Sequence, residues 1–318
     1  VAQRPQQFYP ARVDLTEVGP RDGFQFESKT MPTSLKVEII GALVAAGLKQ
    51  IQVASFVHPR RVPQMADAEE LLRSLPAWPD VTLSGLVLNR QGLERARRSG
   101  LRHVEISISA SDTHSRKNTG MARDEAFYQG QELIGRAREY RMSARAGIQC
   151  AFGCVYEGAI ATRRVVEMAR SFIDKGAAAL SLADTTGMAD PFAIRRRVAA
   201  VQAVLAGRPL VLHLHDTRGL GLVNLMAALE CGVTQFDTAL AGMGGCPFVA
   251  GAAGNIATED TLYLLGRLGI ATGIDIARVA ACALEMEKYY GKTFAGKIYR
   301  LMRGGAVVLD FSSRENGR

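Results

Sequence analysis

Val211-Leu212-His213-Leu214-His215-Asp216-Thr217 reads as a buried strand that ends in polar side chains. Side chains alternate along a strand, so His213 and His215 share one face, and the apolar residues before and between them belong to a strand covered on both sides. Two imidazoles then point the same way at a strand end, where neutral nitrogen donors can seed a divalent-metal site. Asp216 and Thr217 follow directly and could orient or complete it. The same stretch also fits two histidines merely hydrogen-bonded beside a strand. The remaining ligands must therefore come from elsewhere in the chain.

Working outward, seven more Val/Ile/Leu-rich runs read as buried strands. Together with Leu210–Leu214 they are Val13–Glu17, Gln50–Ala54, Thr82–Leu88, His103–Ile108, Ser143–Cys150, Ala179–Ala183 and Gln235–Thr238. Between them lie helix-length segments with apolar residues three and four apart, among them Leu35–Ala46, Met65–Leu75, Arg163–Ile173, Pro191–Leu205 and Leu222–Cys231. Pro191 suits a first helical turn after Asp190, and Gly47, Gly100, Gly176 and Gly232 sit where helices would stop. Eight strands alternating with eight helices, without a linker or a break in composition, predict an α/β fold: a closed (β/α)8 TIM barrel. It is expected to span residues 11–270, after a polar lead (1–10). The eighth helix is placed near Thr258–Leu268 and a further one near Ile274–Tyr289. A C-terminal helical extension and flexible tail (271–318) would follow, with Phe294 and Phe311 packing on the barrel.

At 318 residues, with 47% hydrophobic side chains, the chain can bury a large core, and no stretch approaches the uninterrupted apolar length of a membrane span. The formal charge of +8 favours anionic partners. Its arginines come in short clusters such as Arg195-Arg196-Arg197, with no basic tail and no basic stripe interleaved with aromatics, so nucleic acid is not expected. Five cysteines form no disulfide framework and fit reduced thiols. The cytoplasm is the default compartment; because the chain starts at Val1, a processed mitochondrial protein is the alternative. A homodimer is compatible with all of this.

In a barrel of this kind chemistry sits at the C-terminal ends of the strands. The polar residues there are Arg21 and Asp22 after strand 1, Gln52 and Ser55 on strand 2, Ser181 and Asp184 at strand 6, His213 and His215 at strand 7, and Cys246 and Asn255 after strand 8. Gly19-Pro20-Arg21-Asp22-Gly23 would make a tight turn that holds Arg21 and Asp22 at the barrel mouth. One carboxylate and two imidazoles make a plausible first shell for a divalent cation, with positions left for water and substrate oxygens. Five glycines between Gly242 and Asn255 describe a loop whose backbone can approach a ligand closely and carry Cys246 into the site.

These residues resemble one family. Gly19-Pro20-Arg21-Asp22-Gly23, Ala54-Ser55-Phe56-Val57, Val62-Pro63-Gln64-Met65, Tyr156-Glu157-Gly158, Asp184-Thr185, His213-x-His215-Asp216-Thr217 and Gly244-Gly245-Cys246-Pro247 through Gly254-Asn255-x-Ala257-Thr258-Glu259-Asp260 are similar, in the same order, to 3-hydroxy-3-methylglutaryl-CoA lyase. The resemblance implies that Asp22, His213, His215 and Asn255 bind the cation, usually magnesium or manganese, with zinc the alternative. Arg21 would face the thioester carbonyl, Cys246 would transfer a proton, and Asp22 or His213 would serve as base. Gln25, Gln52, Ser55, Ser181, Asp184 and Glu259 would line the substrate pocket.

Two departures stand out. The family carries a glutamate where this chain has Gln52, which implies one negative charge fewer beside Arg21 and the cation. It also carries asparagine where this chain has Phe26, and leucine at Phe24. A large apolar ring at the mouth is expected to shift preference toward a thioester with a less polar acyl portion. The activity implied is metal-dependent cleavage of a 3-hydroxy-acyl-CoA into acetyl-CoA, or a similar acyl-CoA, and a carbonyl product. The alternatives are a condensing acyltransferase of the same superfamily and a catalytically impaired metal-binding barrel.

Overall fold

A computed structural model describes residues 9–245 and 253–304. Eight parallel strands close into a barrel in sequence order: β1 (Asp14–Glu17), β2 (Gln50–Ser55), β3 (Thr82–Val87), β4 (His103–Ser109), β5 (Ser143–Gln149), β6 (Ala179–Ala183), β7 (Leu210–His213) and β8 (Gln235–Thr238). The ring closes where Asp14 to Glu17 pair with Gln235 to Thr238. Each expected strand is present within one residue at either end. Apolar alternate residues such as Val104, Ile106, Leu180, Leu182 and Leu212 are buried.

Helices α1 (Thr33–Ala45), α2 (Ala68–Ser74), α3 (Arg90–Arg98), α5 (Arg123–Glu139), α6 (Thr162–Asp174), α7 (Pro191–Gln202), α8 (Gly221–Glu230) and α9 (Thr258–Leu268) follow the eight strands, with an additional short α4 (Asp112–Thr119) between β4 and α5. The helix expected from Met65 begins only at Ala68. At that junction the buried Lys36 ammonium donates to the Gln64 carbonyl and to Asp67 Oδ1, both at 2.6 Å, and Pro63–Met65 forms a separate short turn. Asp190 caps α7 by accepting from the Ala193 amide at 2.8 Å. The expected helix stops Gly47, Gly100, Gly176 and Gly232 all have φ between 77° and 103°, which favours glycine. Among the described residues, no helix is long and apolar enough to cross a membrane.

Beyond the barrel, α10 (Ile276–Tyr290) packs against α1, and α11 (Ile298–Arg303) docks beside it. Phe294 and Tyr299 are buried there. The Asp260 carboxylate receives the Lys297 and Ile298 amides at 2.8–3.0 Å, so the extension is tied to the start of α9. Phe311 lies outside the described residues, as do most of the expected polar lead and the last part of the expected tail.

The lumen differs from the branched apolar filling usual in such barrels. Gln52, Glu105, Arg145, His213 and Asp237, from β2, β4, β5, β7 and β8, bond to one another across it. In β2 the register against β3 shifts between Gln52 and Ala54, which inserts one residue. Gln52 therefore pairs with Ser84 and Ser55 with Leu86, and these two partners share a face. The bulge thus brings Gln52 and Ser55, three residues apart, to the same side.

Candidate active site

Gly19–Gly23 is a single wide turn: the Phe24 amide reaches back to the Gly19 carbonyl, five residues earlier. Such turns are rare and frequent at functional sites. Glu17 fixes it from beneath, accepting from the Gly19 amide at 2.7 Å, the Leu240 amide at 2.8 Å and the Thr258 hydroxyl at 2.6 Å. The turn buries Arg21 and Asp22 together at the end of β1.

The Arg21 guanidinium donates through Nη1 to Asp22 Oδ1 and through Nε to Gln52 Oε1. Its Nη2 has no hydrogen bond to a described residue. Gln25 donates to Asp22 Oδ1 at 3.1 Å, and Asn255 Nδ2 donates to Asp22 Oδ2 at 2.8 Å and to the Met243 carbonyl at 2.9 Å. Asp22 Oδ2 lies 3.9 Å from His213 Nε2. Ligand atoms of Asp22, His213 and His215 all fall within 4.8 Å of one another.

The donor chemistry fits a cation. The Nε2 atoms of His213 and His215 face each other at 3.2 Å, so they must share either a proton or a metal ion. Asn255 Oδ1 is buried without a donor among the described residues. His213 Nδ1 lies 3.1 Å from Asp237 Oδ2, the carboxylate backing that metal-ligating histidines use to fix their tautomer.

Charge follows the same arrangement. Burial opposes ionisation of Asp22, but Arg21, His213 and the Asn255 amide outweigh it and hold the carboxyl below the usual range. Burial would likewise raise Asp237, yet the Arg145 guanidinium and the His213 hydrogen bond pull it down to about 2. Burial alone would lower His213, but bonding to Asp237 lifts it above the ordinary imidazole value. His215 is pushed down to about 3 by burial and by His213, which leaves it a neutral lone-pair donor.

The expected pocket residues divide. Gln25 supports Asp22, and Gln52 is fully buried behind Arg21. Ser55 and Ser181 are buried on β2 and β6, and Ser55 Oγ has no hydrogen-bond partner among the described residues. Asp184 Oδ1 receives the Met188 and Ala189 amides at 2.8 and 3.1 Å, shaping the turn after β6, and burial raises this carboxyl to about 6. Glu259 has no hydrogen bond to the cluster among the described residues: fully buried, it receives the Ala241 amide at 3.1 Å and braces the segment after β8. Cys246 lies outside the described residues. Sequence reasoning missed Glu105, Arg145 and Asp237. Their signal was present, because a charge in the middle of a buried strand needs a partner.

With this geometry in place, comparison with known proteins is decisive: the HMGL-like family model matches residues 12–284. The chain belongs to the HMGL-like family. The hydroxymethylglutaryl-CoA lyase of Pseudomonas mevalonii is 40% identical over 304 residues, 96% of this chain and 99% of that protein. The crystal structure of hydroxymethylglutaryl-CoA lyase from Pseudomonas aeruginosa superposes with a TM-score of 0.90 at 36% identity, covering 94% of this chain and 99% of its own. An HMG-CoA lyase from Acinetobacter baumannii, solved with coenzyme A and 3-methylmalate, gives a TM-score of 0.88 at 33% identity, covering 97% and 98%. The barrel read from strand periodicity is therefore an HMGL-like barrel, with a cluster able to hold a metal at its C-terminal mouth.

Proposed function

We propose that this protein is a divalent-cation-dependent carbon-carbon lyase that splits 3-hydroxy-3-methylglutaryl-CoA, or a thioester of the same 3-hydroxy class, into acetyl-CoA or a similar acyl-CoA and a keto-acid. The observation that carries this reading is the placement of Arg21 directly against the Asp22, His213 and His215 donor set. The relative bound to coenzyme A supports a thioester substrate.

The reaction takes the proton from a 3-hydroxyl and breaks the adjacent carbon-carbon bond, leaving a ketone. The electron pair goes to the thioester enolate, which accepts a proton at carbon. Asp22, His213, His215 and Asn255 would hold the cation; magnesium or manganese suits this mixed oxygen and nitrogen set, and zinc is the alternative. When bound, the ion supplies Lewis acidity that eases loss of the hydroxyl proton. Two of the guanidinium nitrogens of Arg21 are held by Gln52 and Asp22, so Nη2, which has no hydrogen bond to a described residue, is the edge that would meet the enolate oxygen. Asp22 or His213 takes the hydroxyl proton. Cys246 is our candidate for protonating the carbanion, since a thiol can exchange protons near neutrality.

Purified protein offered a panel of 3-hydroxy-acyl-CoA thioesters should release acetyl-CoA or a similar acyl-CoA with magnesium and lose that activity with chelator. Phe26 is exposed, and its ring lies 3.6 Å from where a Gly245 Cβ would stand. Phe26→Asn should therefore shift kcat/KM toward 3-hydroxy-3-methylglutaryl-CoA, relative to less polar thioesters, by about tenfold or more. Release that ignores chelator, or net condensation, would remove the lyase assignment.

A further inference from the structure

Between Arg21 and Arg145 the lumen holds a two-membered bridge. Gln52 Oε1 accepts from Arg21 Nε, and Gln52 Nε2 donates to Glu105 Oε2 at 2.9 Å. The same Glu105 oxygen accepts from Arg145 through Nε at 2.9 Å and through Nη2. Arg145 continues to Asp237 at 2.7 and 3.0 Å, and Asp237 to His213. With Asp22 lying against both Arg21 and His213, the side chains form a ring around the lumen.

A guanidinium only donates, so a bridge closed by one at each end needs acceptors facing outward and one donor in the middle. One amide and one carboxylate meet that need and also leave a negative charge between the two cations. Two amides lose the charge, and either can turn its nitrogen toward the other or toward a guanidinium, so the order of the bridge is no longer fixed. Two carboxylates place like charges in contact with no proton donor between them. Gln52, Glu105 and Asp237 are each under 7% exposed, so water cannot easily repair a mismatch.

We infer that Glu105, acting through the amide of Gln52, is a positioning residue for Arg21: it sets the guanidinium orientation that leaves Nη2 free for the substrate. This rests on the lyase reading for its catalytic consequence, but the bridge itself makes a prediction independent of turnover. The amide and the carboxylate should be exchangeable as a pair and not singly. In the transposed pair, residue 52 accepts from Arg21, and the amide at 105 turns so that its nitrogen donates to residue 52 while its oxygen, in place of the single Glu105 oxygen that serves both neighbours, accepts from Arg145.

The test compares the parent protein with Glu105→Gln, Gln52→Glu and the double variant Gln52→Glu/Glu105→Gln, by melting midpoint and by steady-state kinetics. Glu105→Gln should lower kcat about 10²-fold with KM changed less than about threefold. Gln52→Glu should lower the midpoint by about 5 °C. The double variant should return to within about 2 °C of the parent and within about tenfold in kcat. A double variant whose losses are the sum of the single ones overturns the inference, as does a Glu105→Gln protein with parental kcat. If the parent cleaves no 3-hydroxy-acyl-CoA, the lyase reading fails, while the melting comparison still decides whether the bridge is matched.

Discussion

Asp237 presents two oxygens to three donors, accepting from Arg145 Nη1 and Nη2 and pairing with His213 Nδ1. An asparagine offers one oxygen, and its amide would face a donor whichever way it turned. Asp237→Asn should therefore release the His213 ring and weaken Mn2+ binding, measured by calorimetry, by about 10–100-fold. Unchanged affinity would mean that strand geometry alone aims this imidazole. At the same scale, the glutamine at position 52 changes meaning. Taken alone it leaves Arg21 and the cation short of a negative charge. In the folded protein the Gln52 amide donates at 2.9 Å to the carboxylate of Glu105, a residue 53 positions away in sequence, so a negative charge stands behind the amide. Asp22, His213 and His215 were legible as a possible metal cluster from residue type and strand-end position, and Asn255 was added to them by the family resemblance. Glu105, Arg145 and Asp237 were legible only as charges out of place.

Among the elements, the segment that enters the glycine-rich stretch is closely packed where it meets Asp22 and Asn255. Gly244 has φ 113°, and a Cβ there would overlap the Asn255 amide nitrogen. Asn255 is held by Asp22 and Met243 and cannot retreat without losing both bonds. Gly244→Ala should keep the barrel's circular-dichroism spectrum but reduce Mn2+ affinity about tenfold or more. Parental affinity would show that Asn255 is not needed in the donor set. Helix ends and strand limits were readable because caps, prolines and glycines act within a few residues. The wide turn at Gly19–Gly23 and the bulge in β2 were not: each depends on partners far along the chain, Glu17 with Leu240 and Thr258 in one case and the β3 register in the other.

For the whole molecule, buried carboxylates couple barrel closure to pH. Burial, opposed by the Thr258 hydroxyl and the Leu240 and Gly19 amides, raises Glu17 to about 7, and burial raises Glu259 to about 8. Both folded values exceed the unfolded one, so the native state holds protons that the unfolded chain releases. Their stabilisation is complete below about pH 4.5 and is lost as pH rises through 7 and 8. Glu17→Gln keeps an acceptor for both amides and offers a donor to Thr258. It should flatten the fall in melting midpoint between pH 5 and 8 by about 5 °C relative to the parent, corresponding to about 2–3 kcal/mol. Parallel slopes would place the titration elsewhere. The sequence by itself determined the eight-stranded barrel and the polar residues at its mouth, Asp22, His213 and His215 among them, because alternation, helix period and strand-end position are local patterns that survive without knowledge of distance. Only the tertiary structure decided that six separate segments join their side chains across the lumen, that the Gln52 amide donates to Glu105, and that Glu259 receives the Ala241 amide. Those outcomes depend on strand stagger and on a one-residue bulge, which set distances between side chains far apart in the chain and leave no trace in periodicity.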